Sequence, residues 1–131
     1  MANLLDGTFN SDVINSVSKS AWVETVDAAN EAYRPGQFTT FAAYEYTTST
    51  EESGNLHRNV VFRGTDKLPA VPFSRFNSKN PEGLWHWMDG LREQGIESLA
   101  IPHNSNGSNG AMFAFTDWAG NAIDREYAEQ R

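Results

Sequence analysis

Glu45, His57 and His103 each stand inside or beside a strand-like apolar run, and together they offer one carboxylate and two imidazoles. That is the donor set of a divalent metal such as zinc, manganese or iron. Glu45 lies within Phe38-Thr-Thr-Phe-Ala-Ala-Tyr-Glu-Tyr46, His57 opens His57-Arg-Asn-Val-Val-Phe-Arg63, and His103 closes Ser98-Leu-Ala-Ile-Pro-His103. A carboxylate within an apolar strand costs on the order of several kcal/mol in desolvation unless a cation or hydrogen-bond donors offset it. Plainer roles exist for all three. Arg58 or Arg63 could neutralise Glu45 as an ion pair, His57 could be a half-buried residue bonded to backbone, and His103 could anchor the loop that follows it. The remaining histidine, His86, sits on a helix beside two tryptophans and reads as packing or surface.

Substrate contacts would come from three further residues. Arg58 and Arg63 are five positions apart, so their side chains point to opposite faces of a strand, and at most one faces the site. A guanidinium there suits phosphate or carboxylate, and Arg58 is the candidate. Asn104 and Asn106, in the polar loop Asn104–Gly110, could orient substrate or water, although asparagines in such loops also serve turn formation. No catalytic residue is assigned. The chain has no Ser/His/Asp nucleophile pattern, Walker loop or dinucleotide glycine fingerprint.

Those side chains need elements to hold them. Trp22, Val26, Ala29 and Tyr33 recur at helical spacing, predicting a helix over 11–33 that Pro35-Gly36 ends. Phe38 to Thr47 reads as a strand covered on both faces. A polar turn over Thr48 to Asn55 and a strand over His57 to Arg63 make an antiparallel pair. Residues 64–80, with Pro69 and Pro72, read as an irregular excursion. The clearest helix runs from Pro81 to Gln94: Asn80 suits its N-cap, Pro81 its first turn and Gly95 its exit, with Leu84, Met88 and Leu91 as the buried stripe flanked by Trp85 or Trp87. Helix, glycine and the strand ending at His103 then form the αβ half of an alternating unit, whose carboxyl end is where open α/β sheets and barrels place their sites. A last helix starts near Ala122.

At 131 residues the chain is read as a single domain, 1–131, with 39% apolar and 12% aromatic residues, large enough for a core. A net charge of −7 with ten dispersed Lys and Arg residues argues against nucleic acid or an anionic membrane as partner. With no cysteine, any metal must rest on nitrogen and oxygen ligands. No stretch approaches the length of apolar sequence that spans a bilayer, and residues 1–10 lack a secretory pattern, so cytoplasmic residence is the default expectation.

The runs Tyr44-Glu-Tyr-Thr47, Asn55-Leu-His-Arg-Asn-Val-Val-Phe-Arg63, Leu84-Trp-His-Trp87 and Ala100-Ile-Pro-His-Asn-Ser-Asn106, with the ending Tyr127-Ala-Glu-Gln-Arg131, resemble a bacterial family of uncharacterised proteins, domain of unknown function 3604. That family is similar to the PHP (polymerase and histidinol phosphatase) metal-dependent phosphoesterases, which have a distorted TIM-type β/α barrel. The resemblance implies that Glu45 and His57 match the PHP glutamate-then-histidine element. His103 looks like the histidine of the Ala-His-Pro element, although proline here precedes it. It further implies two or three metal ions activating water against a phosphoester. The His-x-His element and the later Asp-x-His element have no match, and such a barrel takes roughly 200 residues or more.

The resulting expectation is an α/β chain of a few strands and about three helices, an internal segment of a PHP-like metal hydrolase. Glu45, His57 and His103 would hold zinc, manganese or iron in the complete protein, with weak metal binding and little catalysis in this chain alone. Its partners would be a small anionic substrate such as a phosphoester and, through unpaired strand edges, a second copy. The rival expectation is a non-catalytic module that binds a small polar ligand, with Glu45 ion-paired and the histidines structural.

Overall fold

Where the sequence alternates or repeats, the chain takes the matching element: α1 (Ser11–Ala32), β1 (Ala43–Tyr46), β2 (Arg58–Phe62), α2 (Pro81–Glu93), β3 (Ser98–Pro102), two single 3-10 turns (Ser105–Gly107 and Ala111–Phe113) and α3 (Arg125–Gln130). The computed structural model describes residues 11–130. The reading of residues 1–10 as free of a secretory signal, and Arg131 of the family-like ending, lie outside them. Among the described residues the class is mixed α/β, with three helices and a three-stranded antiparallel sheet in the order β1-β2-β3. No helix among the described residues is long and apolar enough to cross a membrane.

The described residues form two compact units, 11–40 with Pro69–Pro72, and 41–68 with 73–130. In the first, Trp22 is buried and its indole N–H donates to Pro69 O at 2.9 Å. Val26 and Ala29 are half-buried on the same stripe. The helix stops at Ala32, so Tyr33 leaves the stripe and is exposed. Pro35-Gly36 ends it as expected: Gly36 takes a positive φ of 72° in a turn closed by paired backbone bonds between Arg34 and Phe38.

The second unit holds the sheet. β1 pairs with β2 antiparallel, Glu45 opposite Asn59 and Tyr46 opposite Arg58. β2 pairs with β3 antiparallel, Arg58 opposite Pro102 and Asn59 opposite Ile101. Alternation gives the sheet two unlike faces. Tyr46, Val60 and Phe62 are fully buried on the inner face, which meets α2: Phe62 packs edge-on to Trp87 with ring centroids 6.5 Å apart. The outer face carries Leu99 and Ile101, both about half exposed. The expectation of a first strand covered on both faces therefore fails. The regular part is Ala43–Tyr46 alone, and Phe38 and Phe41 are exposed. The helix-glycine-strand order holds, but β3 returns antiparallel to β2.

α2 is built by local chemistry. The Asn80 side chain accepts from Glu82 N, and Pro81 occupies the first turn, where its missing N–H costs nothing. Leu84, Trp85, Met88 and Leu91 are buried along one stripe. At the exit Gly95 N donates to Arg92 O and Ile96 N to Leu91 O around a positive φ of 79° at Gly95, with Leu91 and Ile96 both buried. Two hydroxyls fasten the irregular 73–80 stretch to the strand end, Tyr46 to Ser78 O and Thr48 to Lys79 O, each at 2.7 Å. α3 begins at Arg125 rather than near Ala122 because Asp124 accepts from Tyr127 N and sets the start there.

Candidate metal centre

The outer face of the sheet gathers Glu45, His57 and His103 at one end. Glu45 points outward because its neighbours Tyr44 and Tyr46 turn inward. His57 directly precedes β2, and His103 N donates to His57 O at 3.0 Å, extending the β2–β3 ladder by one pair. The two imidazoles therefore stand side by side, ring centroids 6.3 Å apart. His57 Nδ1 lies 2.8 Å from Glu45 Oε1, and His103 Nε2 lies 3.3 Å from Glu45 Oε2. One ligand atom from each of the three residues lies within 4.8 Å of the others.

Neighbours in sequence hold each member. The Thr47 hydroxyl donates to Glu45 Oε1 at 2.8 Å. Asn55 Oδ1 accepts from His57 N at 2.8 Å and fixes the start of β2. Asn104 Nδ2 sits 3.1 Å from His103 Nε2. The Thr47 hydroxyl holds the Glu45 carboxyl below the ordinary carboxylate range; partial burial opposes this, and His57 and His103 reinforce it. His57 Nδ1 is buried and makes no aligned hydrogen bond, so its 2.8 Å approach to Glu45 Oε1 is proximity without a shared, well-directed proton.

Nitrogen and oxygen ligands at about 2.0–2.2 Å from an ion stand roughly 3–3.5 Å from one another; the donor types suit a divalent cation, and the 2.8 and 3.3 Å separations of the histidines from Glu45 are near that range. One carboxylate and two imidazoles leave coordination positions open toward solvent, since the Glu45 side chain is 40% exposed and that of His103 31%.

The other candidates lie elsewhere. Arg58 does not join the cluster: it is 3% exposed on the inner face, donates to Leu56 O at 2.8 Å and lies 5.5 Å from the centroid of the Trp85 ring. Its place as a substrate contact beside the metal ligands is thereby corrected, because the face that α2 covers is the one Arg58 occupies. Arg63, at the far end of β2, pairs with Glu97, so neither arginine is the partner of Glu45. Glu45 itself is exposed rather than sunk in an apolar strand, which removes the desolvation argument made for it. Asn104 is at the cluster. Asn106 is exposed within the 3-10 turn Ser105–Gly107. His86 is exposed, as anticipated, beside a cavity of about 240 Å³ lined by Glu82, Asp117 and Asp124. Thr47 and Asn55 escaped the sequence reading. Their signal was their position, two residues after Glu45 and two before His57.

Over residues 2–131 the chain matches the family model described as Protein of unknown function (DUF3604), and it belongs to that family. No curated protein and no solved structure matches it.

Proposed function

We propose that this member of the DUF3604 family carries part of the metal site of a hydrolase acting on a small anionic ester, in the manner of the PHP phosphoesterases. The observation that carries the reading is the convergence of Glu45, His57 and His103 ligand atoms within 4.8 Å on the open sheet face. A divalent cation bound there would supply positive charge to the substrate's oxygens and an activated water. The chain's own residues do the rest of what can be assigned. Glu45, whose carboxyl Thr47 holds below its ordinary range, provides the carboxylate, the histidines provide nitrogen donors, and the β2–β3 ladder keeps the two rings adjacent. The PHP kinship, and the barrel it implies, are supported by the sequence runs around these residues. The antiparallel pairing of all three strands is not the parallel pattern of a regular β/α barrel.

With three protein ligands on an open face, this chain should bind manganese or zinc weakly and hydrolyse phosphoesters little or not at all. Metal content after equilibrium dialysis tests both parts. Glu45→Ala and His103→Ala should each lower uptake at least tenfold; uptake unchanged in both variants would sink the metal site, and tight stoichiometric uptake by the unaltered chain would sink the claim of weak binding.

A second reading rests on the same distances. If the histidines are protonated, Glu45 bridges them as an ion-pair cluster, and the chain is a non-catalytic module for a small polar ligand. Under that reading both alanine variants lose stability at acidic pH and change no metal content.

A further inference from the structure

We infer that a pocket entered by Arg58, separate from the metal cluster, binds a small zwitterion of amino-acid size: Arg58 takes its carboxylate at the floor, and Glu51 and Glu52 take its ammonium at the mouth.

The pocket lies within the sheet-bearing unit and encloses about 420 Å³, in the range of small-molecule sites. Arg58 reaches it from the inner face of the sheet, whereas Glu45, His57 and His103 gather on the outer one. Burial sets the depth of each wall residue. Arg58, 3% exposed, and the buried Leu56 form the floor, while Glu51 and Glu52, in the exposed turn between β1 and β2, form the mouth. Charge is thus sorted by depth, a cation inside and carboxylates outside. Arg58 is held in place, since it donates to Leu56 O at 2.8 Å and lies 5.5 Å from the centroid of the Trp85 ring. A guanidinium so fixed loses little freedom on meeting a carboxylate, and its planar fork matches that group. A plain anion must pass Glu51 and Glu52, with Asp117 also on the wall, and a plain amine meets Arg58 inside. A molecule carrying both charges satisfies both ends at once.

Between floor and mouth the wall is aromatic, with Trp118 and Tyr127, and suits an aliphatic side chain. Trp118 points the same way independently. Its indole N–H is buried and meets no hydrogen-bond acceptor among the described residues. An orphan donor of this kind is costly, and an oxygen of the bound carboxylate satisfies it once the indole turns toward the pocket.

Three ligands of one shape separate the charges without touching the fold: L-leucine, L-leucinamide, which lacks the carboxylate, and isocaproate, which lacks the ammonium. Calorimetry and the Trp118 indole resonance should show L-leucine binding about tenfold more tightly than either relative, the worth of one charge-assisted hydrogen bond. Glu51→Gln with Glu52→Gln, both in an exposed turn, should weaken L-leucine about tenfold and leave isocaproate bound no worse. Trp118→Phe keeps an aromatic ring and deletes the donor; it should weaken L-leucine and isocaproate about fivefold and spare L-leucinamide. Arg58 is packed too deeply under α2 to delete without risk to folding, so its charge is read from the leucinamide titration. Equal affinity for L-leucine and L-leucinamide removes Arg58 as the anion partner, and equal affinity for L-leucine and isocaproate removes the carboxylates at the mouth. Either result overturns the zwitterion site, as does tighter binding of neutral glucose, or no binding of L-leucine at about 10 mM. None of these outcomes touches the metal cluster on the other face.

Discussion

At the scale of single residues, the candidate site was legible to the extent that its chemistry is carried by side-chain type. One carboxylate and two imidazoles beside strand-like runs pointed to Glu45, His57 and His103, and the fold brings those three together. Arg58 shows where such reading stops. Alternation told that Arg58 and Arg63 face opposite ways, but which face is inner is decided by where α2 lands, information no local spacing contains. Glu45 looked buried for the same reason, since an apolar run does not reveal that one of its faces stays open. The Thr47–Glu45 hydrogen bond permits a test at this scale. Glu45 is held below its ordinary range in the folded chain, so its contribution to stability is present above the unfolded pKa and fades as pH falls through the folded one. Removing the hydroxyl by Thr47→Val should raise the Glu45 pKa toward its ordinary value and narrow that window, while Thr47→Ser should restore it. Carbon-13 titration of the Glu45 carboxyl follows the shift directly; an unmoved pKa in the valine variant would show that the histidines, rather than Thr47, set it.

Elements were legible where their determinants are local and lost where they are not. Both ends of α2 follow from residues within a few positions, Asn80 and Pro81 at the start and Gly95 at the exit, and its stripe follows from spacing. The hairpin of β1 and β2 was likewise readable from the short polar turn between them. The return of β3 antiparallel to β2 was not, because the pairing partner of a strand after a helix depends on the path of 64–80 and on α2 packing. Stability should divide along the same line. Asn80→Ala should cost about 1 kcal/mol through a lost cap, and Leu84→Ala, at a site with no exposure, about 2–5 kcal/mol through a cavity under the sheet. Gly95→Ala, at φ 79°, should cost about 1–2 kcal/mol through strain in the left-handed region alone. Urea unfolding with a shared slope measures all three. A Leu84→Ala loss no larger than that of Asn80→Ala would mean that the inner face of the sheet and α2 are not packed as one layer.

For the whole molecule, the decisive quantity is apolar surface that nothing in the described chain covers. Leu99 and Ile101 on the outer sheet face and Phe41 nearby are each about half exposed, and β1 and β3 both end the sheet with an outward edge. A sheet open on one face and at both edges tends to pair with another sheet, as edge strands offer unpaired backbone groups and the apolar face gains by leaving water. Against this stands a charge of −7 on every copy, which repels a second chain over distances set by salt. The balance makes self-association dependent on ionic strength in a definite direction. Raising sodium chloride from low to physiological levels and beyond should screen the repulsion, strengthen the apolar contact and drive the chain from monomer toward dimer at micromolar concentrations. Replacing both Leu99 and Ile101 by Lys removes the apolar contribution and should leave a monomer at every salt concentration, with the metal ligands untouched. Sedimentation equilibrium across a salt series reads both chains on one scale. A monomer of the unaltered chain throughout, or dimers that dissolve as salt rises, would mean that this face is not where copies meet and that charge, rather than apolar burial, governs the encounter.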